Sequence, residues 1–344
     1  MTPTSNLPLA SASSKHRNTT PQENGSVRDG FGTGLLEAGR RNKAVVAVNA
    51  DLAESVRLTE FQKAFPDRFF EVGVAEQNLV GVACGLALGG KIAFAASYAA
   101  FSPGNSWGVI RTSVCYSQLN VKIIGGHAGL SADRDGATHQ ALEDIALMRV
   151  LPNMTVVVPA DELQAYQATL ALAEQVGPAY LRLSKTLAPA ITNEFDHTGT
   201  FQLGKAQVVR SGGDITLVAC GTMVTVALTT AAALAEDGIS AEVINLHTIK
   251  PLDASTILAS LERTHALVTL EEHQLAGGMG SAVAEMLVQK KTRVAFQMIG
   301  VQDSFGESGS NDALLEKYGL TSQYSRAVAK KVLVEKKLYE VRSI

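Results

Sequence analysis

The feature that most constrains the fold of this chain is a regular alternation between short apolar runs and longer runs with helical spacing. From Asp29 onward, apolar runs typical of buried strands alternate with amphipathic or small-residue segments that favour helices. Strands separated by helices pair in parallel, and the helices then cover both faces of the sheet. We therefore predict an α/β fold with mostly parallel sheets.

The alternation is interrupted once, which predicts two domains. Residues 187–202 contain Pro189, Asn193 and Gly199 and lack periodic apolar positions, as linkers do. A length of 344 residues also suits two domains. The predicted division is a disordered or loosely packed arm over 1–26, rich in Ser, Thr, Asn and Pro, a first α/β domain over 27–188, a linker over 189–204 and a second α/β domain over 205–344.

Composition excludes several classes of function. A net charge of -3 and a pI near 6.2 give no basic footprint for nucleic acid. No apolar run approaches the roughly 18 residues that span a bilayer. Cys84, Cys115 and Cys220 are odd in number and lie in apolar stretches, which indicates reduced core thiols. We expect a cytoplasmic protein that binds neither nucleic acid nor a membrane.

Glu76 lies at a predicted junction between a strand and a helix. Residues 70–75 form an apolar run that predicts a buried strand, and residues 79–88 are small, apolar and compatible with a helix. Burial there would disfavour the charged carboxylate and let Glu76 exchange a proton near neutral pH. An acid near a helix N-terminus can equally serve to stabilise the helix dipole. The local sequence leaves both interpretations open.

Two more groups of residues follow predicted strands. Residues 125–140, here called the polar loop, combine two His, two Asp and an Arg among four Gly at a strand end, where open α/β sheets bind ligands. This composition suits a polyhydroxylated, anionic ligand, and its spacing is only a weak metal signal. Tyr98 and Phe101 form either plain core or a stacking platform for a flat heterocycle. The glycines of residues 277–280 favour tight strand-to-helix packing over phosphate binding.

Three stretches of the sequence together resemble the C-terminal half of transketolases. They are residues 70–78, ending in Glu76-Gln77-Asn78, residues 133–140, and Leu270-Glu271-Glu272-His273 followed by residues 277–280. The resemblance implies a pyrimidine-binding domain followed by a transketolase C-terminal domain. It also implies thiamine diphosphate as cofactor and the transfer of a two-carbon ketol unit between sugar phosphates.

The resemblance assigns roles to individual residues. Glu76 is implied to hydrogen-bond N1′ of the aminopyrimidine and so to activate the cofactor, and His127 to act at the reaction centre. The implied cofactor contacts are Phe101, which stacks on the pyrimidine, Tyr98 beside it, and Asp51. The implied substrate-binding residues are Arg28, Ser55 and Lys185 for the sugar phosphate, His127 and His139 along the donor channel, and Asp135 for the C2 hydroxyl of the acceptor.

The chain departs from the family pattern at two positions. Gly104 stands where many transketolases place a further aromatic residue, so we expect a pyrimidine pocket that is more open on that side. Lys185 stands where the family usually has arginine. Lysine keeps the positive charge but loses the bidentate fork that suits a phosphate.

The sequence also lacks the Gly-Asp-Gly string that marks the family's diphosphate-binding domain. The resemblance therefore implies the second subunit of a split transketolase. Its partner, an N-terminal transketolase subunit, would carry that domain and hold the diphosphate with Mg²⁺ or Ca²⁺, and no metal ligand is expected here. An α2β2 heterotetramer is implied, because the family's active site lies between protomers.

Three alternatives stay open. One is a split 1-deoxy-xylulose-5-phosphate synthase, although that family usually has an acid-containing motif where His127 stands. Another is the β subunit of a 2-oxoacid dehydrogenase, which lacks the string at residues 135–140. The third is a non-catalytic binding or regulatory paralogue. The sequence also leaves open the sugars and the pathway, whether pentose phosphate or modified-sugar.

Overall fold

Two α/β units make up this protein. The computed structural model describes residues 24–192 and 201–342. A seven-stranded sheet forms the first unit and a five-stranded sheet the second. Val46 and Val48 of one central strand lie in one apolar cluster while Val45 and Ala47 lie in another, so this sheet is buried on both faces. The predicted fold class is confirmed.

The strands and helices have the following bounds. The strands are β1 Asn24–Ser26, β2 Val45–Asn49, β3 Phe69–Glu71, β4 Ile92–Tyr98, β5 Val121–Gly126, β6 Thr155–Val157, β7 Ala179–Arg182, β8 Leu187–Pro189, β9 Gln207–Arg210, β10 Ile215–Ala219, β11 Ala241–Asn245, β12 Thr248–Lys250, β13 Ala266–Gln274 and β14 Ala295–Val301. The helices are α1 Val27–Arg41, α2 Thr59–Ala64, α3 Glu76–Leu88, Trp107–Val109 continued with wider turns by Ile110–Tyr116, Asp144–Arg149, Glu162–Glu174, Met223–Glu236, Ala254–Thr264, Met279–Gln289, Asn311–Lys317 and Ser322–Arg342. Tighter helical turns lie at Pro66–Arg68 and Gly129–Asp135.

The first sheet takes one strand from the second half of the chain. Its order is β12-β6-β7-β5-β4-β2-β3, and β12 pairs antiparallel with β6. The apolar cluster on one face of this sheet also includes Ile249 and Ile257. The two units therefore share a sheet and part of a core, although the predicted division places both residues in the second domain. A three-residue strand is too short to show a periodic pattern.

The second sheet has the order β14-β13-β10-β11-β9, and only β9 at its edge is antiparallel.

No helix within residues 24–192 or 201–342 is long and apolar enough to cross a bilayer. The predicted core thiols Cys84, Cys115 and Cys220 are buried and free.

A two-stranded ribbon closes the first unit. β1 pairs antiparallel with β8, so residues 24–26 form a strand although they fall in the predicted arm. Residues 1–23 and 193–200, which hold the rest of that arm and part of the linker, lie outside the described residues. The beginning of the linker is anchored, because the buried carboxylate of Asp161 accepts hydrogen bonds from the backbone N–H groups of Ile191 and Thr192 at 2.9 and 2.7 Å.

The strand predicted at residues 70–75 is shorter than expected. β3 ends at Glu71 and is a partly exposed edge strand. The Glu71 carboxylate accepts hydrogen bonds from the backbone N–H groups of Asp51 at 2.8 Å and Gly73 at 2.9 Å. These bonds turn the chain away from the sheet, so that a loop precedes α3.

Candidate active site

The predicted site residues converge because the parallel strands of the first sheet end at one edge. β3, β2, β4, β5 and β7 pair in parallel in that order. The segments that follow these strands carry Glu76, Ser55, Phe101, His127 and Lys185, respectively. Ligands bind at the carboxyl ends of strands in open α/β sheets, so this edge is the candidate site.

Glu76 is the first residue of α3 and is half-buried. Among the described residues, its carboxylate has neither a hydrogen-bond nor an ion-pair partner. Gln77 donates from Nε2 to the carbonyl oxygen of Asn105 at 3.3 Å, which ties the start of α3 to the loop after Phe101. The part of the chain that the structure describes does not bury Glu76 as expected, because the preceding loop faces solvent, with Val74 77% exposed. A second surface is needed to exclude water from this carboxylate.

Aromatic rings line the site beside Glu76. Tyr98 and Phe101 are stacked with ring centroids 5.8 Å apart. The imidazole of His127 stacks on the ring of Tyr98, with the two ring centroids 3.9 Å apart. The ring of His139 contacts Phe101 edge-on, with a centroid distance of 5.1 Å. The aromatic pair is therefore in contact with both histidines of the polar loop, which plain core packing does not require.

Arg28 connects three of the predicted substrate-binding residues. It lies in the first turn of α1 and is nearly buried. Its guanidinium donates hydrogen bonds to the carbonyl oxygens of Ser55 at 2.9 Å and Lys185 at 3.4 Å, and to Nε2 of His127 at 3.3 Å. Burial, followed by the charge of Arg57, lowers the pKa of Arg28. A buried guanidinium held in this way is suited to bind an anion.

His127 is buried and uncharged. Burial, followed by the positive charges of Arg28 and Lys185, lowers the pKa of His127 to about 3. The imidazole is therefore neutral at physiological pH. It can exchange hydrogen bonds with a ligand, but it adds no positive charge to the site.

Arg57 is a site residue that was not predicted from the sequence. Its Nε lies 2.6 Å from Oδ1 of Asp29, and its charge lowers the pKa of both Arg28 and His127. The residue has a φ of 62°, and a Cβ on Gly32 of α1 would lie 2.7 Å from its Cβ. Close packing against a glycine thus fixes Arg57 beside the site. The available signal was a basic residue two positions after Ser55 in a loop that follows a strand.

The polar loop presents its charged residues at different depths. Lys185 Nζ lies 3.9 Å from Oδ2 of Asp133, so Asp133 faces a proposed phosphate-binding residue. Asp135 and Asp51 are exposed, and His139 is half-buried. The structure thus places Arg28, Ser55, His127 and Lys185 in one group, whereas no contact joins Asp135 or Asp51 to it among the described residues.

The glycines of residues 277–280 serve packing, as favoured from the sequence. The buried carboxylate of Glu271 accepts hydrogen bonds from the backbone N–H groups of Met279 at 2.6 Å and Gly280 at 2.8 Å. A Cβ on Gly278 would lie 2.2 Å from this carboxylate. Burial raises the pKa of Glu271 to about 7. The helix N-terminus that could have bound a phosphate is therefore already occupied by a side chain.

Comparison with known proteins gives the family. Domains described as the transketolase pyrimidine-binding domain and the transketolase C-terminal domain match residues 24–190 and 204–324. A protein of Methanocaldococcus jannaschii described as a transketolase C-terminal section is 42% identical over 90% of this chain and 96% of its own length. A 6-deoxy-6-sulfo-D-fructose transketolase subunit of Clostridium sp. is 42% identical over 86% of this chain and 91% of its own. A solved split-gene transketolase, described as an inactive β4 tetramer, has a TM-score of 0.84 and 45% identity, covering 91% of this chain and 99% of its own. The chain belongs to the transketolase family.

Membership of this family implies dependence on thiamine diphosphate, and the site suits one half of that cofactor. Glu76 offers a ring nitrogen a carboxylate that has no partner among the described residues, and Phe101 offers a half-buried aromatic face to a flat ring. The diphosphate half requires a divalent metal. Within the described ranges, no group of three or more His, Cys, Asp or Glu side chains is placed to hold one.

Proposed function

We propose that this chain is the pyrimidine-binding subunit of a split transketolase. Together with a partner, it would transfer a two-carbon ketol unit between sugar phosphates. The observation that carries the proposal is that an unpaired carboxylate, an aromatic wall and a buried cation converge at one sheet edge. Glu76, Phe101 and Arg28 represent these three elements.

The carboxylate and the aromatic wall account for the cofactor half of the site. Bound thiamine diphosphate supplies a carbon nucleophile. In this proposal Glu76 shares a proton with N1′ of the pyrimidine, Phe101 stacks on that ring, and Tyr98 and Asp51 lie beside it. Proton sharing needs a carboxyl shielded from water. The half-exposed Glu76 therefore supports a site completed by another polypeptide.

The basic group accounts for the sugar phosphate. Arg28 and Lys185 bind the phosphate oxygens, with Ser55 beside them. His127 exchanges hydrogen bonds with the sugar as a neutral imidazole, because its pKa is lowered to about 3. From the polar loop, Asp135 contacts the acceptor hydroxyls and His139 lies at the channel mouth. A neutral His127 acts near the reaction centre through hydrogen bonding.

A partner subunit would supply the diphosphate-binding half of the cofactor site. Relatives described as a C-terminal section and as a split-gene transketolase support a separate N-terminal subunit with the diphosphate-binding domain. We propose that this subunit holds the diphosphate and Mg²⁺ or Ca²⁺, and that the two chains form an α2β2 heterotetramer. The chain alone is then inactive, because it holds only part of the cofactor.

Reconstitution tests the proposal. The purified chain, its partner and an equimolar mixture are assayed with thiamine diphosphate and Mg²⁺, with xylulose 5-phosphate as donor and ribose 5-phosphate as acceptor. A second donor, 6-deoxy-6-sulfo-D-fructose, tests the specificity named for the Clostridium relative. Activity of the mixture alone is the expected result. Robust sugar transfer by this chain without a partner would contradict the split site.

Two further assays address two of the three alternatives, the synthase and the non-catalytic paralogue. Product formation from pyruvate and glyceraldehyde 3-phosphate by the same mixture, with no ketol transfer, would assign the chain to a 1-deoxy-xylulose-5-phosphate synthase. Calorimetric titration of the mixture with thiamine diphosphate separates an enzyme from a non-catalytic paralogue. We expect the mixture to bind thiamine diphosphate and Glu76→Ala to weaken this binding. An absence of binding would favour the paralogue.

A further inference from the structure

The second unit contacts the polar loop at two separated places. One contact comes from the end of β13, and the other from residues 304–310, which follow β14 and are here called the clamp segment. Neither contact involves residues that the proposed function uses. Both fall on the segment that presents Asp135 and His139.

The first contact is a buried carboxylate. Glu272 Oε1 accepts a hydrogen bond from the backbone N–H of Ser131 at 2.8 Å. The hydroxyl of Ser131 donates to the carbonyl oxygen of Ala128 at 2.7 Å and accepts from the backbone N–H of Lys185 at 2.9 Å. A Cβ on Gly129 would lie 2.5 Å from Glu272 Oε1. Glu272 thus fixes the beginning of the tight turn of the polar loop and, through Ser131, the backbone of Lys185.

The second contact centres on Gln140, which is 4% exposed. Its Nε2 donates to the carbonyl oxygens of Asp133 at 3.1 Å and of Glu307 at 2.9 Å, so it bridges the loop and the clamp segment. The hydroxyl of Ser308 donates to the carbonyl oxygen of Arg134 at 3.0 Å. A Cβ on Gly306 would lie 1.8 Å from Oε1 of Gln140. Residue 306 must therefore be glycine if Gln140 is to keep this position.

We infer that the second unit sets the conformation of the polar loop, and that Gln140 is the positioning residue through which the clamp segment acts. Asp133 has a φ of 62° and a ψ of -123°, which a non-glycine residue adopts only when its surroundings enforce it. The carbonyl oxygen that Gln140 binds belongs to this residue. The bridge therefore holds a strained turn from which Asp135 and His139 project. Resting on the proposed function, the inference makes the second unit a determinant of acceptor binding.

Hydrogen exchange tests the inference on the chain itself, without any activity. Gln140→Leu removes the bridge, and Gly306→Ala displaces the Gln140 side chain without changing it. Backbone exchange over residues 129–140 should accelerate about tenfold in both, because the strained turn opens when its bond is lost. Gly213→Ala is the control, since a Cβ there meets nothing within 4 Å. Unchanged exchange over this segment in either folded variant would overturn the inference.

Kinetics of the reconstituted enzyme then distinguish positioning from general damage. Both variants should raise the KM of the aldose acceptor about fivefold and the donor KM less, because Arg28 and His127 do not depend on the bridge and, of the proposed donor contacts, His139 alone lies on the strained segment. An equal rise in both KM values would contradict a specific effect on the acceptor. If the mixture shows no ketol transfer, the proposed function fails, but the exchange result still decides whether Gln140 fixes the loop.

Discussion

The guanidinium of Arg28 donates a hydrogen bond to Nε2 of His127 across 3.3 Å, which determines the tautomer of the imidazole. A guanidinium has no acceptor atom, so Nε2 must accept and the proton must lie on Nδ1. Nδ1 has no partner among the described residues. His127 is therefore a neutral ring whose orientation and proton position are both imposed by a neighbouring cation.

Removing the cation should raise the pKa of His127. In Arg28→Gln, the pKa should rise from about 3, because a positive charge is lost, yet stay below 6.5, because burial is the larger cause. The NMR titration of the imidazole Cε1 proton measures it. Arg41→Gln, an exposed arginine on the same helix, is the matched control and should leave the titration unchanged. A midpoint near 6.5 in the unsubstituted chain would show that His127 is not buried as described.

Glu76→Gln should abolish turnover of the reconstituted enzyme and leave the fold intact. Glutamine keeps the size of the side chain but cannot exchange the proton, so a loss of at least about 100-fold in kcat is expected. Steady-state kinetics and thermal unfolding measure the two effects. Glu60→Gln, at an exposed carboxylate paired with Lys63, serves as the control. Rates like those of the native chain in Glu76→Gln would remove this residue from the catalytic role.

Loss of Lys185 or Arg57 should selectively weaken the binding of phosphorylated substrates. Lys185→Ala should raise KM for a sugar phosphate about tenfold with kcat within about twofold, the usual effect of removing one charged hydrogen bond. Arg57→Gln should act in the same direction but less, about threefold, because Arg57 is partly neutralised by Asp29 at 2.6 Å. Lys63→Ala controls for surface charge. An unchanged KM in both variants would place the phosphate elsewhere.

Acidification should destabilise the folded chain partly through His247. This residue is fully buried beside Phe201, with ring centroids 4.4 Å apart, and burial lowers its pKa from 6.5 to about 4. Between these values the unfolded chain binds the proton and the folded chain does not, so the free energy of unfolding falls as the pH drops. In His247→Gln, the decrease in the free energy of unfolding between pH 6.5 and pH 4 should be smaller by about 3 kcal/mol. Denaturant titrations at both pH values measure the difference, and equal losses in the two proteins would contradict the prediction.

The sequence predicted the parts of the site that depend on local patterns. Glu76 and Phe101 each follow an apolar run, and parallel strands bring such positions together without any knowledge of distant contacts. Lys185 was indicated only by the resemblance to transketolases. Arg57 and Asp133 were beyond this reasoning. Both have a positive φ, which sequence patterns do not indicate for arginine or aspartate, and their ionic partners are distant in sequence.

The pairing of β12 with β6, which lie on opposite sides of the linker, could not be predicted from the sequence either. β12 is three residues long and joins the first sheet only because β6 offers it a free edge. The burial of Glu76 was overestimated for a related reason. Its apolar neighbours indicate a covered position, but no cover is present among residues 24–192 and 201–342.

The antiparallel pair of β12 and β6 has a consequence for dissecting the protein. A fragment that stops at residue 192 would leave β6 with unpaired N–H and C=O groups along an apolar strand, and such edges pair with other chains. We expect the isolated pyrimidine-binding unit to aggregate, even though every residue of the candidate site lies within it. In the intact protein, the second unit covers this strand edge with β12.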